Sequence, residues 1–154
     1  MLLDDLMNEE LTRLQMQAET DESVIRSLGS LLIKNDFVDD EYVESVWERE
    51  QEYPTGIENN GYNFAIAHAS GGTIYRPAVA MGVLEEPVEF RKIDNPNKTT
   101  PVKIVIMLAL TEPEEHLEAL KTLIQKLQST DLFQRICSCT TTERAVKLIC
   151  GSTV

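Results

Sequence analysis

The stretch Pro101-Val-Lys-Ile-Val-Ile-Met-Leu-Ala-Leu110 is apolar at nearly every position, with Lys103 as its only charge. A strand with one wet face would alternate, so a run like this marks a central β-strand covered on both sides. The next four residues, Thr111-Glu-Pro-Glu114, make a Thr-x-x-Glu capping box with proline in the first turn, and a helix is predicted to start there. Its buried stripe is Leu117, Leu120, Ile124 and Leu127. A buried strand running straight into an amphipathic helix points to a layered α/β domain.

The flanking sequence agrees. Upstream, Asn63 to His68 is a short strand whose period of two puts Phe64, Ile66 and His68 on one face. The small-residue loop Ala69-Ser-Gly-Gly-Thr73 follows, then two strand-like runs, Pro77 to Leu84 and Pro87 to Phe90, and a polar loop from Asp94 to Thr100. Nearer the start, Thr20 with Asp21 and Glu22 caps a helix with the stripe Val24, Ile25, Leu28, Leu31 and Leu32, ending near Asn35. A second helix begins at Asp39 or Asp40, carries Val43, Val46 and Trp47 at core spacing, and stops before Pro54, where a turn-rich segment begins. Leu11 to Ala18 reads as an edge strand behind an acidic, partly mobile leader over residues 1–10. Short helices fit Asp131 to Cys137 and, after a second capping box at Thr140 to Glu143, Arg144 to Cys150. The expectation is one domain over residues 1–154, a mixed β-sheet flanked by helices on both sides. Mixed directions follow because some strand connections are too short for parallel crossovers.

A chain of 154 residues is long enough for one sizeable core. Its longest apolar run falls far short of the roughly 20 residues that cross a bilayer, so no membrane insertion is expected. Three cysteines, two of them as Cys137-x-Cys139, argue against a disulfide framework and for a reducing, cytoplasmic setting. The net charge of −12 lies wholly in residues 1–60, which hold 16 acidic against 4 basic residues; residues 61–154 hold 10 of each. Such a chain repels phosphate backbones and anionic lipid, which argues against nucleic acid or membrane surfaces and for a basic protein partner, although a solvated acidic face is the commoner meaning of such a bias.

No phosphate-binding loop, dinucleotide fingerprint or His-Glu-x-x-His helix is present, and no metal or cofactor is expected. The chain has two histidines. His68 ends a strand and opens a glycine loop, where open α/β sheets place ligands. His116 lies in the first turns of a capped helix, whose free amides and dipole favour phosphate and a neutral imidazole. A neutral imidazole can attack phosphorus at physiological pH, and phosphoryl transfer then needs chiefly a positioned cation. Arg49, near the end of the second helix, is the candidate. Taken singly, each has a plainer reading: a hydrogen-bonded structural histidine, a helix-surface histidine, a solvated charge.

Four stretches taken together resemble one family: Tyr42-Val-Glu-Ser-Val-Trp-Glu-Arg-Glu50, Tyr53-Pro-Thr-Gly56, Phe64-Ala-Ile-Ala-His68 and Glu115-His-Leu-Glu-Ala-Leu120. Over roughly residues 20 to 150 the chain is similar to the fructose/mannitol-type enzyme IIA domains of the sugar phosphotransferase system, particularly the galactitol-like branch. The resemblance implies that His68 accepts a phosphoryl group from the histidine-containing phosphocarrier protein and passes it to a cysteine of enzyme IIB, which works with a membrane enzyme IIC. It also implies that Arg49 and His116 surround the phosphorylated ring. Most relatives read Ile-Pro-His where this chain has Ile66-Ala67-His68, and the lost proline frees the backbone before the nucleophile. An alternative use of the same fold is a regulatory interaction module whose partner binding depends on His68 phosphorylation.

Overall fold

The apolar run up to Ala109 lies in β5 (Thr99–Ala109), in the middle of a single five-stranded sheet. The computed structural model describes residues 3–151. With β1 (Thr12–Met16), β2 (Gly56–Ile57), β3 (Phe64–His68) and β4 (Ala78–Arg91), the strand order is β1-β4-β5-β3-β2. β1 runs parallel to β4 and β3 parallel to β5, while β4 with β5 and β2 with β3 are antiparallel. The sheet is mixed, as the short connections required.

Strand alternation sorts the core into two layers. β3 sends Ala65 and Ala67 to one face, where α2 (Asp21–Lys34) and α3 (Asp40–Glu52) pack, and Phe64 and Ile66 to the other. That second face carries α1 (Leu3–Leu6), α4 (Pro113–Gln128), α5 (Thr130–Cys137) and α6 (Thr142–Cys150), so six α-helices flank the sheet among the described residues. Each wholly buried leucine on these helices, such as Leu28 or Leu123, contributes about 1.5–3 kcal/mol of burial. The small alanines of β3 and β4 leave space for the ring of Tyr42, whose hydroxyl donates to the Leu108 carbonyl. None of the described helices is long and apolar enough to cross a membrane.

Several local expectations change. The two runs from Pro77 to Phe90 join into one strand, β4, whose register shifts between Val83 and Val88; Pro87 falls in that irregular segment, where it has no ladder amide to lose. Gly56 and Ile57, expected only as turn, pair with Ala65 and Phe64. α4 is capped by Glu112, which makes no side-chain cap bond, rather than by Thr111. Proline disfavours a helical residue before it, so Glu112 stays extended and the first helical position is Pro113 itself. Leu117 is 52% exposed, because the inward row is Ala119, Leu123 and Leu127, with Leu120 and Ile124 partly covered. α6 takes Thr141, not Thr140, as its cap, the register that buries Ala145 and Ile149. Within the acidic leader, Leu3, Leu6 and Met7 pack against the α4 layer; residues 1 and 2 lie outside the described residues, as do 152–154.

Candidate functional site

His68 is the last residue of β3, in register with Leu108 on the parallel neighbour β5. β5 ends one residue later, and Leu110 to Glu112 turn the chain into α4. Two parallel strands thus end at one edge, the place where α/β sheets present ligand sites. His116 donates its backbone amide to the Glu112 carbonyl at 2.9 Å, the opening bond of α4, and lies three residues before Ala119 on the inward row. The rings of His68 and His116 meet edge to face, with centroids 4.8 Å apart and planes at 66°.

Arg49 reaches the same cleft from α3. Its carbonyl accepts the Tyr53 amide, and its guanidinium sits 5.2 Å from the Tyr53 ring centroid. It makes no ion pair among the described residues, so its charge is available to an anion. The wall between helix and histidine is the Ala69–Gly72 loop, which with Arg49, His68, Leu110 and His116 encloses about 490 Å³. Asp39, the α3 cap, accepts the amides of Tyr42 at 2.9 Å and Thr73 at 3.0 Å. These two bonds staple the loop to the helix start and hold the Asp39 carboxyl below its usual range, Thr73 being the larger cause. Gly72 has φ +72°, and a Cβ there would stand 2.2 Å from the Tyr42 nitrogen, so the loop backbone lies flat on α3.

The state of His68 follows from one hydrogen bond. Its Nδ1 lies 3.1 Å from the Ile66 carbonyl oxygen. A carbonyl can only accept, so Nδ1 carries the proton and Nε2 keeps its lone pair. Burial lowers the His68 pKa below the ordinary histidine value; the Ile66 bond opposes this, and His116 and Arg49 add to it. His116 is lowered as well, by burial first and Arg49 second. Burial is thus the largest cause of the downward shift at both rings. No group of three or more metal-ligating side chains gathers here or elsewhere among the described residues.

All three residues singled out in the sequence line one cleft. The sequence did not reveal the contributions of Asp39, Tyr42 and Tyr53. Asp39 was legible as a helix cap, but its second bond, to Thr73 across 34 positions, had no local signal.

Residues 5–151 match the family described as phosphoenolpyruvate-dependent sugar phosphotransferase system, EIIA 2. The PTS system fructose-specific EIIABC component of Bacillus subtilis is 27% identical over 153 residues, which are 97% of this chain and 23% of that protein. The chain therefore spans under a quarter of that relative's length. The PTS system galactitol-specific EIIA component of Escherichia coli K12 is 27% identical over 113 residues, 73% of this chain and 75% of its own. Among solved structures, the complex of enzyme IIAMTL and phosphorylated enzyme IIBMTL from Escherichia coli superposes with a TM-score of 0.75 at 24% identity, covering 95% of this chain and 98% of that one; at this identity the likeness is one of fold.

Proposed function

Because the chain belongs to the EIIA 2 family of the phosphoenolpyruvate-dependent sugar phosphotransferase system, we propose that it is a cytoplasmic phosphoryl carrier whose acceptor atom is Nε2 of His68. The observation that carries this reading is the His68 ring with its Nδ1 hydrogen-bonded to the Ile66 carbonyl, which leaves Nε2 to face a cleft shared with His116 and with Arg49, which makes no ion pair among the described residues.

In the proposed step, the lone pair of Nε2 forms a bond to phosphorus as the N–P bond of the phosphocarrier protein's phosphohistidine breaks. The proton stays on Nδ1, hydrogen-bonded to the Ile66 carbonyl, so no general base is required. Charge gathered on the three phosphoryl oxygens is met by the Arg49 guanidinium and by an N–H of His116. In the second step a cysteine thiolate of an enzyme IIB attacks phosphorus, the His68 N–P bond breaks, and the neutral imidazole returns. Sugar uptake would follow through that enzyme IIB and its membrane enzyme IIC.

The test is to incubate the chain with labelled phosphoenolpyruvate, enzyme I and the phosphocarrier protein and to measure acid-labile phosphate. His68→Ala is expected to lose all label. Equal labelling of the variant would overturn the assignment.

A further inference from the structure

Glu50 is the one buried acidic or basic side chain among the described residues, 3% exposed, and it follows Arg49 in the last turn of α3. Both of its oxygens are taken by a single residue. Oε2 accepts the Thr55 amide at 2.8 Å and Oε1 the Thr55 hydroxyl at 2.9 Å. Thr55 is itself buried and leads into Gly56, which pairs with Ala65 three residues before His68. The Gly56 carbonyl is held in turn by the Ile93 amide at 2.8 Å, and no side chain larger than hydrogen fits there, since a Cβ would lie 2.6 Å from the Arg91 carbonyl oxygen. A continuous set of bonds therefore runs from the Arg49 turn to the histidine strand.

This carboxylate is costly. It forms no ion pair, and burial raises its pKa to about 7; the Thr55 bonds oppose that rise, with a further push from Asp21 and a counteracting pull from Arg91. A buried acid without a cation adds little to stability, and an apolar side chain would fill the space at less cost. What it supplies is geometry. The end of α3 is held by the Tyr53 amide on the Arg49 carbonyl and by Arg91 on the Gln51 carbonyl, but among the described residues only the Glu50 clamp bonds it to the Thr55 segment that leads into β2 and the histidine strand.

We propose that Glu50 is a positioning residue for phosphoryl transfer: clamped to Thr55, it fixes the Arg49 turn of α3 against the strand pair that carries His68. It does not line the cleft and acts through Arg49. The proposal rests on the reading of His68 as phosphoryl acceptor.

The experiment measures phosphoryl transfer from the phosphorylated phosphocarrier protein to the full chain, as kcat and KM, for the wild type, Glu50→Gln, Thr55→Ser, Thr55→Val, Arg49→Ala and the Arg49→Ala/Glu50→Gln double variant. Glu50→Gln is expected to lower kcat by roughly tenfold and leave KM within about twofold, since misplacing a charge-stabilising group costs transition-state binding. Thr55→Val, which removes one bond, should lose about threefold, and Thr55→Ser, which keeps both, should match the wild type. In the Arg49→Ala background Glu50→Gln should change nothing further, because its effect passes through the missing guanidinium. A wild-type kcat in folded Glu50→Gln, or the same tenfold loss in both backgrounds, overturns the proposal while leaving the acceptor intact. Should Glu50→Gln melt below the assay temperature, an unchanged kcat in Thr55→Val overturns it instead. Absence of His68-dependent label on the wild type overturns the acceptor reading and the proposal together.

Discussion

Ile66 and His68 are two residues apart on one strand, yet the carbonyl of the first selects which nitrogen of the second is free. The consequence is open to measurement. Because burial disfavours the charged ring, the folded pKa of His68 lies below the unfolded value of about 6.5. Nitrogen-15 NMR titration of the histidine rings should show both midpoints below the ordinary value of about 6.5, with the neutral His68 ring protonated on Nδ1. A His68 midpoint at or above 6.5, or an Nε2–H tautomer, would contradict this account. The sign for stability follows: unfolded chains take up the proton first, so these rings leave stability untouched above pH 6.5 and lower it as pH falls toward their folded values. Sequence alone could nominate both histidines, but the desolvation that governs them sums over neighbours scattered along the chain.

At the scale of elements, the site depends on a loop pressed against a helix start. Gly72 and Gly61 both have positive φ, +72° and +91°, but a Cβ at Gly61 meets nothing within 4 Å whereas one at Gly72 strikes the Tyr42 backbone. Gly61→Ala should therefore cost only the backbone term of about 1–2 kcal/mol. Gly72→Ala should cost on the order of 3 kcal/mol or more in denaturant unfolding, because loop and helix must also separate. Equal losses at the two positions would mean that the loop does not bear on α3. Element starts were legible where one local rule acted alone, as at Thr20, which caps α2 with Ser23 as its reciprocal partner. They slipped where rules competed, as at Thr111, where proline's effect on Glu112 outweighed the capping pattern. β4 was read as two pieces because the irregularity around Glu85–Pro87 resembles a turn until the long partner strand is known.

Taken whole, the molecule has two cores separated by one sheet, with Leu28 in the α2/α3 layer and Leu123 in the α4 layer, both wholly buried. Leu28→Ala and Leu123→Ala should each cost about 2–5 kcal/mol. Their sum should match the double variant to within about 0.5 kcal/mol, since the two leucines belong to separate core clusters on opposite faces of the sheet. Coupling well above that in equilibrium unfolding would show that the layers respond as one. The cleft lies where these layers meet at the sheet edge, α3 contributing Arg49 from one side and α4 contributing His116 from the other. What the sequence determined by itself was the layered architecture, the facing of β3 and the three residues worth attention, because strand period, helix stripe and cap depend on residues a few positions apart. Only the tertiary structure decided the tautomer of His68, the burial that lowers the pKa of both rings, the pressing of Gly72 onto α3 and the clamp of Glu50 on Thr55. Each of these is set by which atoms meet after folding, and residue types along the chain do not encode that distance.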